Sequence, residues 1–182
     1  TATGYLVNGW DTFVDNNNGK TLGYQFNWAI AENTNFIVNG SHGPEQTDNS
    51  SNNRHFWDLI FAIKPFEKTA FNLNVDYGTE EDGAMFATIN ENGQWWGFAG
   101  IINQDITDSF GLALRGEYFD DNDGARLGVN ALNVWEITLT ANIKIRENML
   151  VRPELRYDEA NQEVFGGHDG ELTTAIAFAY MF

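Results

Sequence analysis

The chain has 182 residues, and its 26 acidic against 10 basic side chains give a formal net charge of -16. This charge disfavours nucleic acid and anionic membrane surfaces as partners, and the absence of cysteine excludes a disulfide scaffold and a cysteine-based zinc site. An aromatic content of 14% with 18 glycines and 3 prolines favours strands joined by turns over a disordered acidic chain. No linker composition divides the sequence, so we expect one domain over residues 1–182.

Apolar and polar residues alternate along most of the chain, and no helical period of 3.6 recurs. Alternation places successive side chains on opposite faces of a strand, so the fold class is predicted to be all-β. In chain order the predicted strands cover residues 3–13, 21–30, 35–43, 54–63, 71–78, 94–103, 110–119, 133–145, 149–158 and 172–182. Most have close to the roughly 9–11 residues of a strand that crosses a bilayer.

The last predicted strand has one face of large apolar side chains. Ile176, Phe178, Tyr180 and Phe182 share this face, whereas alanines dominate the other. A final strand with alternating aromatic residues resembles the closing strand of bacterial outer-membrane barrels, in which Phe178, Tyr180 and Phe182 would act as the signal for the barrel-assembly machinery. An ordinary buried strand is the alternative that this segment leaves open.

The connections between the predicted strands alternate in length. Short connections lie near residues 31–34, 64–69, 104–108 and 146–148, and long ones lie near residues 44–53, 79–93, 120–132 and 159–171. A soluble barrel with an apolar interior would show the same strand periodicity, but outer-membrane barrels have short periplasmic turns and long outer loops. The pattern therefore favours a transmembrane antiparallel up-and-down β-barrel of about ten strands, with both termini in the periplasm.

Tyrosine and tryptophan of the apolar face gather near the strand ends that this topology places at the outer surface. They are Tyr24, Trp57, Tyr77, Trp96, Tyr118, Trp135 and Tyr157. Candidates for an inner aromatic girdle are Trp28, Phe36, Phe71, Phe110, Tyr180 and Phe182. Because such rings sit at the headgroup level of a membrane, we expect these side chains to contact outer-membrane lipid and lipopolysaccharide.

The opposite face carries charged side chains that a barrel would direct into its lumen. They are Asp58, Asp76, Arg115, Glu117, Glu136, Lys144, Arg152, Glu154, Arg156 and Asp158. One interpretation is a constriction that selects solutes, and the other is a network of salt bridges that fills the lumen. A barrel of about eight strands is filled by its own side chains, whereas 16 to 18 strands leave an aqueous channel. About ten strands therefore favour the filled lumen.

Five stretches resemble a known family. They read VNGWDTFVDNNNGKT (residues 7–21), RHFWDLIFAIKP (54–65), LNVDYG (73–78), WWGFAG (95–100) and LALRGEYFDDNDG (112–124). They look like the carboxy-terminal half of a family of bacterial outer-membrane β-barrel porins. The resemblance implies an outer-membrane barrel with porin-like passive diffusion of small solutes or ions. This chain is shorter than usual members, which argues against a wide pore and leaves a non-conducting structural or surface-interaction barrel as the alternative.

The predicted outer loops concentrate acidic residues. These are Glu45, Asp48, Glu80, Glu81, Asp82, Glu91, Asp120, Asp121, Asp123, Glu159, Glu163, Asp169 and Glu171. They could draw cations to a pore mouth or bind divalent ions that bridge lipopolysaccharide, or they could form a solvated repulsive surface. Residues 120–124 partly match a calcium-binding loop but lack its later glutamate.

A hydrolase is a third and more distant hypothesis. His42, His55 and His168 lie near the predicted outer rim together with Asp76 and Asp158, and ten-stranded outer-membrane proteases build a His and Asp site there. The spacing of these residues is not diagnostic, and the sequence contains no G-x-S-x-G, phosphate-binding glycine loop or H-E-x-x-H motif. We therefore predict no enzyme, no catalytic residue, no cofactor and no metal site.

Overall fold

The computed structural model describes residues 1–10, 14–86 and 91–181, which form a single antiparallel sheet in which consecutive strands are neighbours. Its strands are β1 (Ala2–Val7), β2 (Thr21–Ala31), β3 (Thr34–Pro44), β4 (Asn53–Phe66), β5 (Thr69–Glu80), β6 (Gly93–Asp105), β7 (Phe110–Asp121), β8 (Leu132–Arg146), β9 (Met149–Ala160) and β10 (Gly170–Tyr180). The predicted all-β, up-and-down architecture is confirmed. No helix within the described ranges is long and apolar enough to cross a bilayer.

The two ends of the sheet differ in their connections. Tight turns join the strands at one end, here called the inner end, at residues 32–33, 67–68, 106–109 and 147–148. Longer loops join them at the other, outer end, at residues 8–20, 45–52, 81–92, 122–131 and 161–169. The predicted alternation is therefore confirmed. Several strands exceed their predicted length, since β4 has 14 residues and β8 has 15.

The first strand is shorter than predicted. The alternation suggested a strand over residues 3–13, but β1 ends at Val7. The Asn8-Gly9 pair that follows is a strong turn signal, and beyond it the backbone N–H of Trp10 donates to Glu45 Oε2 at 3.1 Å. Trp10 is therefore held by a residue at the end of β3, and the rest of the predicted strand, residues 11–13, lies outside the described residues.

The sheet buries its polar face and exposes its apolar face. In β8, Thr138 and Thr140 are buried, whereas Ile137 and Leu139 are each 46% exposed. The same arrangement recurs on β5 and β7, where Leu73, Val75 and Leu114 are exposed. A soluble protein would lose hydrophobic stabilisation from so large an exposed apolar surface, so this distribution contradicts the soluble barrel with an apolar interior.

The first and last strands form the two edges of the sheet. Among the described pairings, β1 pairs with β2 and β10 pairs with β9. No pairing joins β1 to β10 among the described residues, so the sheet is open between these two edge strands. Phe178 and Tyr180 point outward as predicted, with small alanines on the opposite face of β10, and Phe182 lies outside the described residues.

We predict that a charge at the middle of the outward face destabilises the barrel in lipid. Leu139→Arg is expected to lower the free energy of unfolding by about 2–4 kcal/mol, because the guanidinium would lie near the bilayer midplane. The matched variant Ile145→Arg, near the inner end of β8, should cost about 0–1 kcal/mol. Denaturant titration in lipid vesicles measures both values, and equal costs would contradict a membrane-facing β8.

Candidate functional site

The pairing registers bring every predicted lumen residue to the inward face of the sheet. These residues are Asp58, Asp76, Arg115, Glu117, Glu136, Lys144, Arg152, Glu154, Arg156 and Asp158. They divide into two walls. One wall, on β7 to β9, mixes arginine with carboxylates, and the other, on β4 and β5, carries aspartates alone.

The mixed wall is organised around Glu136, which is 4% exposed and accepts a hydrogen bond from Thr138 Oγ1. Arg115 Nε lies 3.0 Å from Glu136 Oε1, and Arg115 Nη1 lies 3.4 Å from Glu117 Oε1. Arg156 Nε donates to both oxygens of Asp158, at 2.9 and 2.8 Å, and lies 3.9 Å from Glu136 Oε2. Each arginine therefore has more than one carboxylate within ion-pair distance, so its charge is locally neutralised.

The inner half of this wall is less tightly filled. A cavity of about 210 Å³ is lined there by Arg115, Thr140, Arg152 and Glu154, among other residues. Thr140 Oγ1 donates to Glu154 at 2.9 Å. Arg152 and Lys144 are exposed and form no ion pair among the described residues. Water therefore solvates these two cations near the inner end of the lumen.

The acidic wall has amides where the mixed wall has arginines. Asp58 and Asp76 are direct cross-strand partners on β4 and β5. Asn39 donates to Asp58 Oδ2 at 2.5 Å, Asn74 also donates to Asp58, and Gln25 in turn donates to Asn39 at 2.8 Å. Within the described residues no lysine or arginine lies within ion-pair distance of either aspartate. This wall therefore carries two adjacent carboxylates that have no countercharge.

The outer end of the lumen contains a cluster of rings and guanidinium groups, here called the outer-mouth cluster, formed by Trp10, Arg54, Trp95 and Arg126. The guanidinium carbon of Arg54 lies 5.7 Å from the Trp10 ring and 5.9 Å from the Trp95 ring. That of Arg126 lies 5.5 and 5.3 Å from the same two rings. All four distances suit cation–π interactions, and Trp10 also packs on the inward Phe56 with ring centroids 4.6 Å apart.

Buried carboxylates anchor the outer-mouth cluster. Arg54 Nη2 donates to both oxygens of Glu80, at 3.0 and 2.8 Å. Glu45 accepts from the Trp10 backbone and, at 2.5 Å, from Thr21 Oγ1. The sequence placed Glu45 and Glu80 on solvated outer loops, whereas both are buried. That expectation was wrong for them because their partners come from other strands and from the loop after β1.

Asp121 was also expected on a solvated loop, and it is fully buried. Its Oδ2 accepts from the backbone N–H groups of Arg126 and Leu127, at 3.0 and 2.7 Å, and Asp123 Oδ2 accepts from the backbone of Gln94. The stretch that partly matches a calcium loop therefore uses these two carboxylates to shape a turn. This turn presents Arg126 to the outer-mouth cluster.

Trp95 could be recognised in the sequence by its position. It lies next to Trp96 in β6, so one ring of the pair must face inward, on a face whose neighbouring positions are Gly97 and Ala99. Its cross-strand partner is Gly78, and a Cβ atom there would overlap the indole ring. Tyr5 of β1 covers Gly23 of β2 in the same way. These rings lie flat against the wall because the facing residue has no side chain.

The predicted outer girdle forms a band on the outward face. Ring centroids are 5.9 Å apart for Trp57 and Tyr77, 5.2 Å for Trp96 and Tyr118, and 5.7 Å for Trp135 and Tyr157. Tyr24 extends the band through His42, with centroids 5.7 Å apart. The inner candidates Trp28, Phe36, Phe71, Phe110 and Tyr180 also lie on the outward parity near the inner end. Contact with lipid headgroups stays a prediction for both sets.

The structure separates the residues of the hydrolase hypothesis. His42 and His55 are cross-strand partners on the outward face, next to Trp57. Asp76 and Asp158 face inward on other strands, and His168 lies in the loop before β10. The wall of the barrel therefore stands between the His42–His55 pair and these two carboxylates. In the described part of the chain, no group of three or more His, Asp or Glu side chains could hold a metal ion.

An up-and-down sheet with an apolar outer face, a charged inner face and a rim of Tyr and Trp defines a β-barrel of the bacterial outer membrane. The chain belongs to the family described as "Putative beta-barrel porin-2, OmpL-like", which matches residues 1–182. The predicted porin-like family and the outer-membrane location are confirmed at the level of this family. The more specific match to the family's carboxy-terminal half stays a prediction.

Solved structures share this fold at low sequence identity. The outer-membrane channel DcaP of Acinetobacter baumannii is 11% identical with a TM-score of 0.61, over 89% of this chain and 52% of that chain. The NanC porin is 11% identical with a TM-score of 0.62, over 100% and 98%. The siderophore receptor PirA of Acinetobacter baumannii is 13% identical with a TM-score of 0.56, over 90% and 31%. This chain thus spans about half the length of DcaP, and no curated protein matches it.

We predict that Glu136→Gln destabilises the folded barrel, because Arg115 and Arg156 would both lose the carboxylate they share. The expected cost is about 1–3 kcal/mol, since both arginines keep a second carboxylate partner. The matched variant Glu163→Gln, in an outer loop, should change the free energy of unfolding by less than about 0.5 kcal/mol. Denaturant unfolding compares them, and an unchanged stability of Glu136→Gln would show that this ion-pair network is not structural.

Proposed function

We propose that this barrel is a narrow, cation-preferring path for passive diffusion of small solutes or ions. The observation that carries the cation preference is the pair of lumen carboxylates, Asp58 and Asp76. Neither forms an ion pair among the described residues, and Arg54 on the same face of β4 is paired with Glu80. The lumen arginines Arg115 and Arg156 do not offset this pair, because each is already paired with carboxylates.

The distribution of charge supports a preference for cations. The chain has a net charge of -16, and acidic outer loops raise the local concentration of cations at the entrance. Lys144 and Arg152 near the inner end have the opposite sign, but both are exposed, so water weakens their effect on a permeating ion. Asp58 and Asp76 are only partly exposed, where the lower local dielectric strengthens their field.

The outer-mouth cluster supports a small size limit. Trp10, Arg54, Trp95 and Arg126 occupy the lumen at the outer level, where β4 and β6 begin, and Trp95 is 3% exposed. Solutes entering from the outer end would pass between these side chains and the opposite wall. A narrow entrance also agrees with the strand number, since about ten strands leave little interior space beyond their own side chains.

A non-conducting barrel is the alternative, and the outer-mouth cluster is the observation that favours it. If its rings and guanidinium groups seal the lumen, the charged walls below it would serve stability alone. Function would then lie on the outward surfaces. In either case we propose that Phe178 and Tyr180 contribute to recognition by the barrel-assembly machinery, and that the outer girdle contacts lipopolysaccharide and lipid headgroups.

We propose no catalytic role for the histidines. His42 and His55 face away from the lumen carboxylates, so they cannot share a substrate with Asp76 or Asp158 across the wall. The description of the family as a porin also favours a channel over an enzyme. The charged lumen residues therefore act on permeating solutes or on one another.

We predict that removing the acidic pair lowers the cation preference. In planar bilayers under a salt gradient, Asp58→Asn and Asp76→Asn should each reduce the cation-to-anion permeability ratio about fivefold, which corresponds to roughly 1 kcal/mol of lost attraction. Asp48→Asn removes the same charge from an outer loop and should leave the ratio nearly unchanged. Equal ratios for the wild type and both lumen variants would refute the proposed role of the acidic wall.

We predict that Trp95→Ala widens the entrance and raises single-channel conductance, because it removes the buried ring of the outer-mouth cluster. Trp96→Ala is the matched control, since its ring faces outward from the next position in β6. A silent wild type with a conducting Trp95→Ala variant would support the sealed barrel. Unchanged conductance in a folded Trp95→Ala variant would show that the cluster does not limit the path.

A further inference from the structure

His42 and His55 form a pair of imidazoles on the outward face that diffusion through the lumen does not use. They are direct cross-strand partners on β3 and β4, near the outer end of the barrel. Their Nδ1 atoms face each other at 3.0 Å. Two imidazole nitrogens converging in this way either share one proton in a hydrogen bond or bind one metal ion.

We propose that His42 and His55 together bind a divalent transition-metal ion, with Cu²⁺ as the preferred ion, at the level of the outer girdle. A metal about 2.0–2.1 Å from each nitrogen, with the nitrogens 3.0 Å apart, would subtend an angle of about 94°. This angle suits adjacent positions of a square-planar or tetragonal site, the geometry of Cu²⁺ and Ni²⁺. Among divalent first-row ions, Cu²⁺ binds nitrogen ligands most tightly.

The surroundings hold both rings in place. The His42 ring stacks near Tyr24, with centroids 5.7 Å apart, and meets the Trp57 ring edge-on at 5.2 Å. The His55 ring stacks on Trp57 at 6.1 Å. Rings restricted by their neighbours lose less conformational entropy when a metal binds. Both histidines remain partly exposed, so an ion can reach them from the aqueous side of the girdle.

The rest of the coordination sphere would come from outside the barrel. In the described part of the chain no third His, Asp or Glu joins the pair, so two ligand positions remain for water or an exogenous oxygen donor. The net charge of -16 raises the local concentration of divalent cations. The site would join β3 to β4 on the outside of the wall, and it would operate whether or not the lumen conducts.

The experiment is titration of the refolded protein in detergent with Cu²⁺ at about pH 7.5, where unperturbed imidazoles are neutral. Quenching of tryptophan fluorescence reports copper bound close to Trp57, which adjoins both imidazole rings. Electron paramagnetic resonance of the copper reports which atoms are its ligands. We expect one tight ion per chain, quenched fluorescence and a spectrum with two nitrogen ligands. The variants His42→Ala and His55→Ala should each weaken binding by at least about tenfold, since even indirect ligand supports are worth that much.

His168→Ala is the matched control, because it removes the chain's third histidine from an outer loop and should leave copper affinity unchanged. His42→Gln provides a second test that keeps a polar side chain of similar size, and far-ultraviolet circular dichroism checks that every variant folds. Unchanged affinity in folded His42 and His55 variants would overturn the proposal. A copper spectrum with oxygen ligands alone, as from the acidic loops, would overturn it as well.

Discussion

The strand register is the constraint on which the rest of the structure depends. Because side chains alternate with period two, a shift of one residue between neighbouring strands would turn apolar residues into the lumen and charges toward lipid. In a bilayer the backbone of each strand must also find its hydrogen bonds within the sheet. The antiparallel ladder meets both requirements for β2 to β9, each of which pairs on both sides. It thereby places Glu136 between two arginines and Asp58 beside Asp76.

The two walls of the lumen stabilise their charged side chains in different ways. Around Glu136, on β7 to β9, the charges are compensated, because Glu136, Glu117 and Asp158 surround the guanidinium groups of Arg115 and Arg156. On β4 and β5 the carboxylates are oriented by neutral amides, which satisfy hydrogen bonds without cancelling charge. The first arrangement favours a rigid wall. The second leaves the negative charge of Asp58 and Asp76 uncancelled in the lumen. The wall on β7 to β9 can therefore stabilise the barrel, while the wall on β4 and β5 attracts cations.

The sequence predicted the faces of the strands better than it predicted the contacts at their ends. Alternation is a local property, so the inward parity of Arg115 and the outward parity of Trp135 could be read directly. The burial of Glu45 and Glu80 could not, because Thr21 and Arg54, their partners, lie on other strands. The burial of Asp121 rests on a turn in which the backbone of Arg126 and Leu127 folds back onto it, and strand alternation carries no signal for that turn. Arg126 shows the same limit, since its place beside Trp95 depends on how Asp121 shapes the intervening turn. The consecutive tryptophans of β6 were the one local sign that a ring fills the outer mouth.

The flat packing of Trp95 over Gly78 couples two positions that belong to different strands. A side chain at position 78 would overlap the indole of Trp95, so this level of the wall has room for only one of the two groups. A substitution at position 78 would therefore force the indole out of its place and with it the cation–π contacts to Arg54 and Arg126. The shape of the outer mouth thus depends on one missing Cβ atom on the neighbouring strand.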